Sequence, residues 1–183
     1  MRDWGFVPGP EELAAVRAAA DAFRARWESI QPPFPAAFDG SLADIDALDY
    51  MRYEGIDFPP GGIESAALVC GEVLRRAADL EWVITYRGDW FVASPEDRYP
   101  TIAICPLARL HEIECGRLRG NGMYTWFIQQ SAFDCLLHGE MERELALRAL
   151  MEDAESYLGR VEWLLDRVRR PLPPEPRRRK RRR

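Results

Sequence analysis

With 183 residues, 47% of them apolar and 30% charged, the chain has the composition of one ordinary globular domain, able to build a core without metals or disulfides. That composition argues against two full domains and against global disorder, and no stretch approaches the roughly 20 uninterrupted apolar residues of a membrane span. The net charge of −5 divides into +7 on Arg177–Arg183 and −12 on the rest, so an acidic body that repels nucleic acid and attracts basic partners carries an end of opposite sign.

The opening MRDWGFVPGPEEL lacks the basic and apolar regions of a signal peptide, and a cytoplasmic location is expected from it. Pro10, Glu11 and Glu12 open a helix, with proline in the first turn and acids near the positive end of the dipole. Leu13, Val16, Ala20, Phe23 and Trp27 recur at helical spacing and predict a helix over 10–29. Pro32, Pro33 and Pro35 end it. Ser41, with Asp44 at the capping-box position, starts a second helix with Leu42, Ile45, Leu48 and Met51 on one face, running to Gly55.

Beyond the Pro59-Pro60-Gly61-Gly62 break, Ala66, Val69, Cys70, Val73, Leu74 and Ala77 describe a third helix, whose small residues suit close packing on a sheet. EWVITYR and DWFVAS flank a Gly88-Asp89 turn and read as a hairpin, and TIAIC adds a third antiparallel strand. Pro106 begins a helical segment that ends at Gly116, and residues 123–138 read as helix after Gly120-Asn121-Gly122. From Glu140 to Arg170, Leu147, Met151, Ala154, Leu158, Val161, Leu165 and Val168 alternate by four and three. Leu150, Tyr157 and Leu164 widen that stripe, which favours a long helix covering its own core over a homodimer zipper. Pro171–Pro176 is a stiff spacer into RRRKRRR.

The expected architecture is therefore α+β: a three-stranded antiparallel sheet packed against several helices, with a long C-terminal helix. Residues 1–170 are expected to form one domain, with a helical part over 10–55, a sheet core over 63–116 and a helical part over 123–170. Residues 171–183 are expected to form a disordered tail rich in proline and arginine.

Chemistry-bearing residues are few. Cys105, His111, Cys115, Cys135 and His138 are the only metal-ligand candidates, and they lack the two close pairs of a zinc site. Cys115 with His111, or Cys135 with His138, stand at helical spacing as thiol and base, but nothing orients the base. All four cysteines are read as reduced structural thiols. No glycine run forms a phosphate or dinucleotide loop, and no Gly-x-Ser-x-Gly elbow exists. Neither a catalytic activity nor a cofactor is expected.

The densest acidic stretch interleaves carboxylates with aromatics: Asp44, Asp46, Asp49, Tyr50, Tyr53, Glu54, Asp57 and Phe58. Its bland reading is a solvated helix face. Its functional reading is a partner-binding face, with tyrosines as anchors and carboxylates steering a basic protein. Arg177, Arg178, Arg179, Lys180, Arg181, Arg182 and Arg183 suit an anionic surface or nucleic acid, bound without sequence preference.

The run from Gly71 to Gly116 resembles small bacterial domains of unknown function of the immunity or toxin-associated type, in Leu80, Glu81, Trp82, Tyr99, Pro100, Pro106 and Leu107. The resemblance spans about a quarter of the chain. It implies binding rather than catalysis and supplies no catalytic residues. The function expected is thus a non-enzymatic protein-binding module, an immunity-type or adaptor protein using its acidic aromatic face. The alternative is a nucleic-acid-associated accessory protein tethered by its arginine-rich tail.

Overall fold

The structure, a computed structural model, describes residues 4–95, 100–115 and 122–139. The long helix expected over 140–170, the tail over 171–183 and Tyr99 lie outside the described residues, as does the turn at 116–121. In chain order the elements are β1 (Gly5–Phe6), α1 (Leu13–Ser29), α2 (Ala43–Tyr53), α3 (Gly62–Ala77), β2 (Glu81–Thr85), β3 (Trp90–Ala93), β4 (Ala103–Ile104), α4 (Pro106–Cys115) and α5 (Met123–Leu137).

The architecture is α+β, but the sheet has four strands rather than three. It is an antiparallel meander in the order β1-β2-β3-β4. The extra strand, Gly5–Phe6, pairs Gly5 with Thr85 and Phe6 with Ile84. Two residues show no alternation, so this strand exists only because the open edge of β2 receives it. Gly5 is required there, since a Cβ would sit 2.5 Å from the Ile84 carbonyl oxygen.

The β2–β3 hairpin sets Trp82 opposite Val92 and Ile84 opposite Trp90. Its four-residue connection is held by Thr85: the Thr85 amide donates to the Asp89 carbonyl at 2.9 Å, and its hydroxyl accepts the amides of Arg87 and Asp89. Gly88 supplies the left-handed residue of that turn at φ +90°. On the far face of the sheet Trp4 meets Phe91 edge-on at 5.6 Å.

On the near face α3 is the hub, touching α1, α2, α4, α5 and β3. Close approach is possible because Gly71 faces Trp82: a methyl group there would collide with the indole and come within 2.9 Å of Pro106 Cγ. One buried cluster runs from Val16, Phe23 and Trp27 of α1 through Leu48 and Met51 of α2 to Tyr124 and Phe127 of α5. The helix α5, MYTWFIQQSAFDCLL, is apolar almost all round, as a helix enclosed by others must be. No helix among the described residues is long and apolar enough to cross a membrane.

Candidate functional site

The acidic aromatic stretch lies on α2 and the loop after it. Ile45, Leu48 and Met51 turn inward and are almost fully buried, which leaves Asp46 and Tyr53, two turns apart, on the outer side. Glu54 caps the helix end, and Asp57 follows in the loop.

The eight candidate residues divide in two. Asp44 is fully buried, and its carboxylate accepts the amides of Phe38 and Gly40, both at 2.7 Å, and of Ser41 at 3.1 Å. The expected capping box is thus half made. Asp44 reaches back to the backbone, while Leu42, which precedes the helix, makes no side-chain cap. The carboxylate also holds Phe38 in the left-handed region at φ +48°, a strained setting for a bulky residue. Burial raises the Asp44 pKa, with a smaller push from Asp39, against the downward pull of its three amide donors. Asp44 therefore has no surface to offer a partner.

Asp49 is also turned to structural use: it accepts the amides of Tyr124 at 2.9 Å and Thr125 at 2.7 Å, at the start of α5. Tyr50 is half-buried, edge-on to Trp27 at 5.6 Å and to Phe34 at 5.9 Å. Phe58 wedges between Phe23 at 5.2 Å and Tyr124 at 5.9 Å. The outward set is Asp46, Tyr53, Glu54 and Asp57, all exposed, with Tyr53 at 63%. Arg52 beside them pairs with Glu114 at 3.7 Å, an exposed contact of little energetic weight.

The cysteine and histidine candidates do not converge. Cys135 is fully buried while His138, three residues on, is exposed at the end of α5; Cys105 is half-buried and His111 exposed. The side chain of Cys115 lies outside the described residues. Cys70, Cys105 and Cys135 are unbridged. Burial, reinforced by Asp49 and Asp44, pushes the Cys70 thiol well up, so it is held as an inert thiol rather than a nucleophile. Among the described residues no group of three or more His, Cys, Asp or Glu is arranged to hold a metal ion.

Sequence patterns did not disclose a groove of about 660 Å³ between α1, the end of α3 and the start of β2. At its wall Glu72 accepts two bonds from Arg75, both 2.8 Å, and one from the Trp82 indole at 2.9 Å, with Arg76 at 3.3 Å. Burial pushes the Glu72 pKa up, but the bonds from Arg75 and Trp82 and the two nearby guanidinium charges outweigh it and leave the group below its ordinary value. Four arginines in the lining (Arg17, Arg24, Arg75, Arg76) stand against four carboxylates (Asp21, Asp39, Glu72, Glu81), so the lining carries no net formal charge. The Glu72–Arg75 spacing was visible in sequence; the indole that completes it was not.

Comparison with known proteins gives no match to a family model, to a curated protein or to a solved structure. The resemblance over 71–116 therefore rests on its motif residues, and the site rests on its own geometry. The arginine-rich segment 177–183 lies outside the described residues and adds no geometry to the nucleic-acid reading.

Proposed function

We propose that this chain is a non-enzymatic binding module, of the adaptor or immunity type that the motif resemblance implies, and that the outer side of α2 receives a basic segment of a protein partner. One observation carries the proposal: Tyr53, 63% exposed, stands among the outward residues Asp46, Glu54 and Asp57. An exposed tyrosine brings large contact area at low entropic cost, and carboxylates around it steer a cationic partner. The platform is anchored, because Asp49, one turn before Tyr53 on α2, is fastened to the start of α5. The −12 charge of residues 1–176 adds long-range attraction of the same sign.

The test is affinity capture at low salt from cells that produce the protein, comparing the wild type with a Tyr53→Ala, Glu54→Lys double variant. Capture of a basic protein by the wild type and its loss from the variant is the expected result. Equal capture by both proteins, or recovery of no protein partner, overturns the proposal. Because both residues are exposed, Tyr53→Ala should alter stability by no more than about 0.5 kcal/mol.

A further inference from the structure

A smaller recess of about 270 Å³ lies on a different part of the molecule, between the first turns of α3, the tip of the β2–β3 hairpin and the start of α4. Its apolar walls are Leu68, Trp90, Pro106 and Leu107, and its charged members are Glu64 and Asp89. Among the described residues lining it, none carries a positive charge. We infer that this recess binds the side chain of an arginine presented by a protein partner.

The recess falls below the roughly 300–1,000 Å³ typical of pockets that take whole small molecules, and suits a single long side chain. Its walls are preorganised. Trp90 is half-buried and stands at 85° to Trp82 with ring centres 5.5 Å apart. Trp82 is in turn pinned by the bond from its indole to Glu72. Glu64 and Leu68 share a side of α3 one turn apart. Asp89 sits in the hairpin connection that Thr85 ties, with its amide 3.1 Å from the Thr85 hydroxyl. Both residues are exposed and line the recess, and Asp89 Oδ2 also accepts the Thr85 hydroxyl at 3.4 Å, which leaves its other oxygen for a cation.

The sign of the ligand follows from magnitudes. The N-terminus of α4 at Pro106 contributes about half a positive charge, and proline at that position lacks an amide donor. Two full carboxylates outweigh it. Arginine fits better than lysine because a planar guanidinium stacks on an indole face while its edge forks to carboxylates, and its stem covers the apolar walls. The inference shares a basic partner with the proposed function but uses none of the α2 residues, so the two stand or fall separately.

The test uses the full chain and a capped pentapeptide with a central arginine flanked by glycines, against the same peptide carrying citrulline, the neutral isostere. Binding is followed at low salt by calorimetry and by the NMR shift of the Trp90 indole N–H. The expected result is an arginine-dependent shift of Trp90 and binding at least about tenfold tighter than for citrulline, the difference shrinking with added salt. The Glu64→Gln, Asp89→Asn double variant should lose about tenfold or more, together with the shift of the Trp90 indole N–H. Equal affinity for arginine and citrulline peptides on the wild type, or arginine binding undiminished in the folded double variant, overturns the inference.

Discussion

Asp49 of α2 closes the N-terminus of α5 from 75 residues away: one carboxylate oxygen accepts the Tyr124 amide at 2.9 Å and the other the Thr125 amide at 2.7 Å. Gly122, which precedes that helix, makes no side-chain cap of its own. The first amides of a helix have no partner within it, and a carboxylate there also meets the positive end of the dipole. A local cap has been replaced by a tertiary one, which makes α5 depend on α2 being in place.

Asp49→Ala is expected to cost about 2 kcal/mol, since it removes a charged cap and leaves two amides at a partly buried helix end without an acceptor. Asp49→Asn keeps one oxygen and should cost less. Denaturant unfolding gives the totals, and hydrogen exchange should quicken first at Tyr124 and Thr125. Unchanged exchange at those two amides in Asp49→Ala would show that the cap carries no weight.

Asp44→Ala should cost about 2–3 kcal/mol at neutral pH, because three amides in the 38–41 loop lose their acceptor and Phe38 loses what holds it left-handed. The folded state raises this group's pKa, so it binds a proton more tightly than the unfolded chain does. The stability difference between wild type and variant should therefore widen as pH falls through the raised folded value towards 3.8. A difference that narrows over that interval contradicts the assigned direction.

Glu72 behaves in the opposite sense. Its folded pKa lies below the ordinary 4.5, so its contribution is fully present above that value and is lost as pH falls through the folded one. Glu72→Gln should destabilise by about 2 kcal/mol at pH 7, with weaker bonds to Arg75 and Trp82, and by progressively less below pH 4.5. Urea unfolding of both proteins across that range reads the trend, and a constant difference would remove Glu72 from the account.

Gly71→Ala tests the contact between α3 and the sheet. The added methyl group meets the Trp82 ring, which is fixed by Glu72 and by Trp90, and overpacking of this kind costs about 1–3 kcal/mol. Near-UV circular dichroism should register the displaced indole alongside the loss of stability. A variant as stable as wild type with an unaltered tryptophan signal would mean that α3 sits farther from β2.

The helices α1, α2, α3 and α5 and the hairpin were legible because apolar spacing and turn residues are local properties. Four strands in place of three is the main departure, and its cause is the two-residue β1, which acquires strand geometry from its neighbour rather than from its own residues. Within the acidic stretch, sequence identified residue types and their side of the helix. It did not distinguish Asp44 and Asp49 from Asp46 and Asp57, because all four are aspartates within 14 residues of one another.

By itself the sequence determined the class of the fold, the helix sides that turn inward, and the opposition between an acidic body and a cationic end. Only the tertiary structure decided which carboxylates face solvent, since that depends on amides brought to Asp44 by a strained loop and to Asp49 by a helix 75 residues away. Charge is a property of residues, whereas exposure of charge is a property of what packs beside them. The recess holding Glu64, Asp89 and Trp90 belongs to the second kind: three segments supply its walls, and none of them marks it alone.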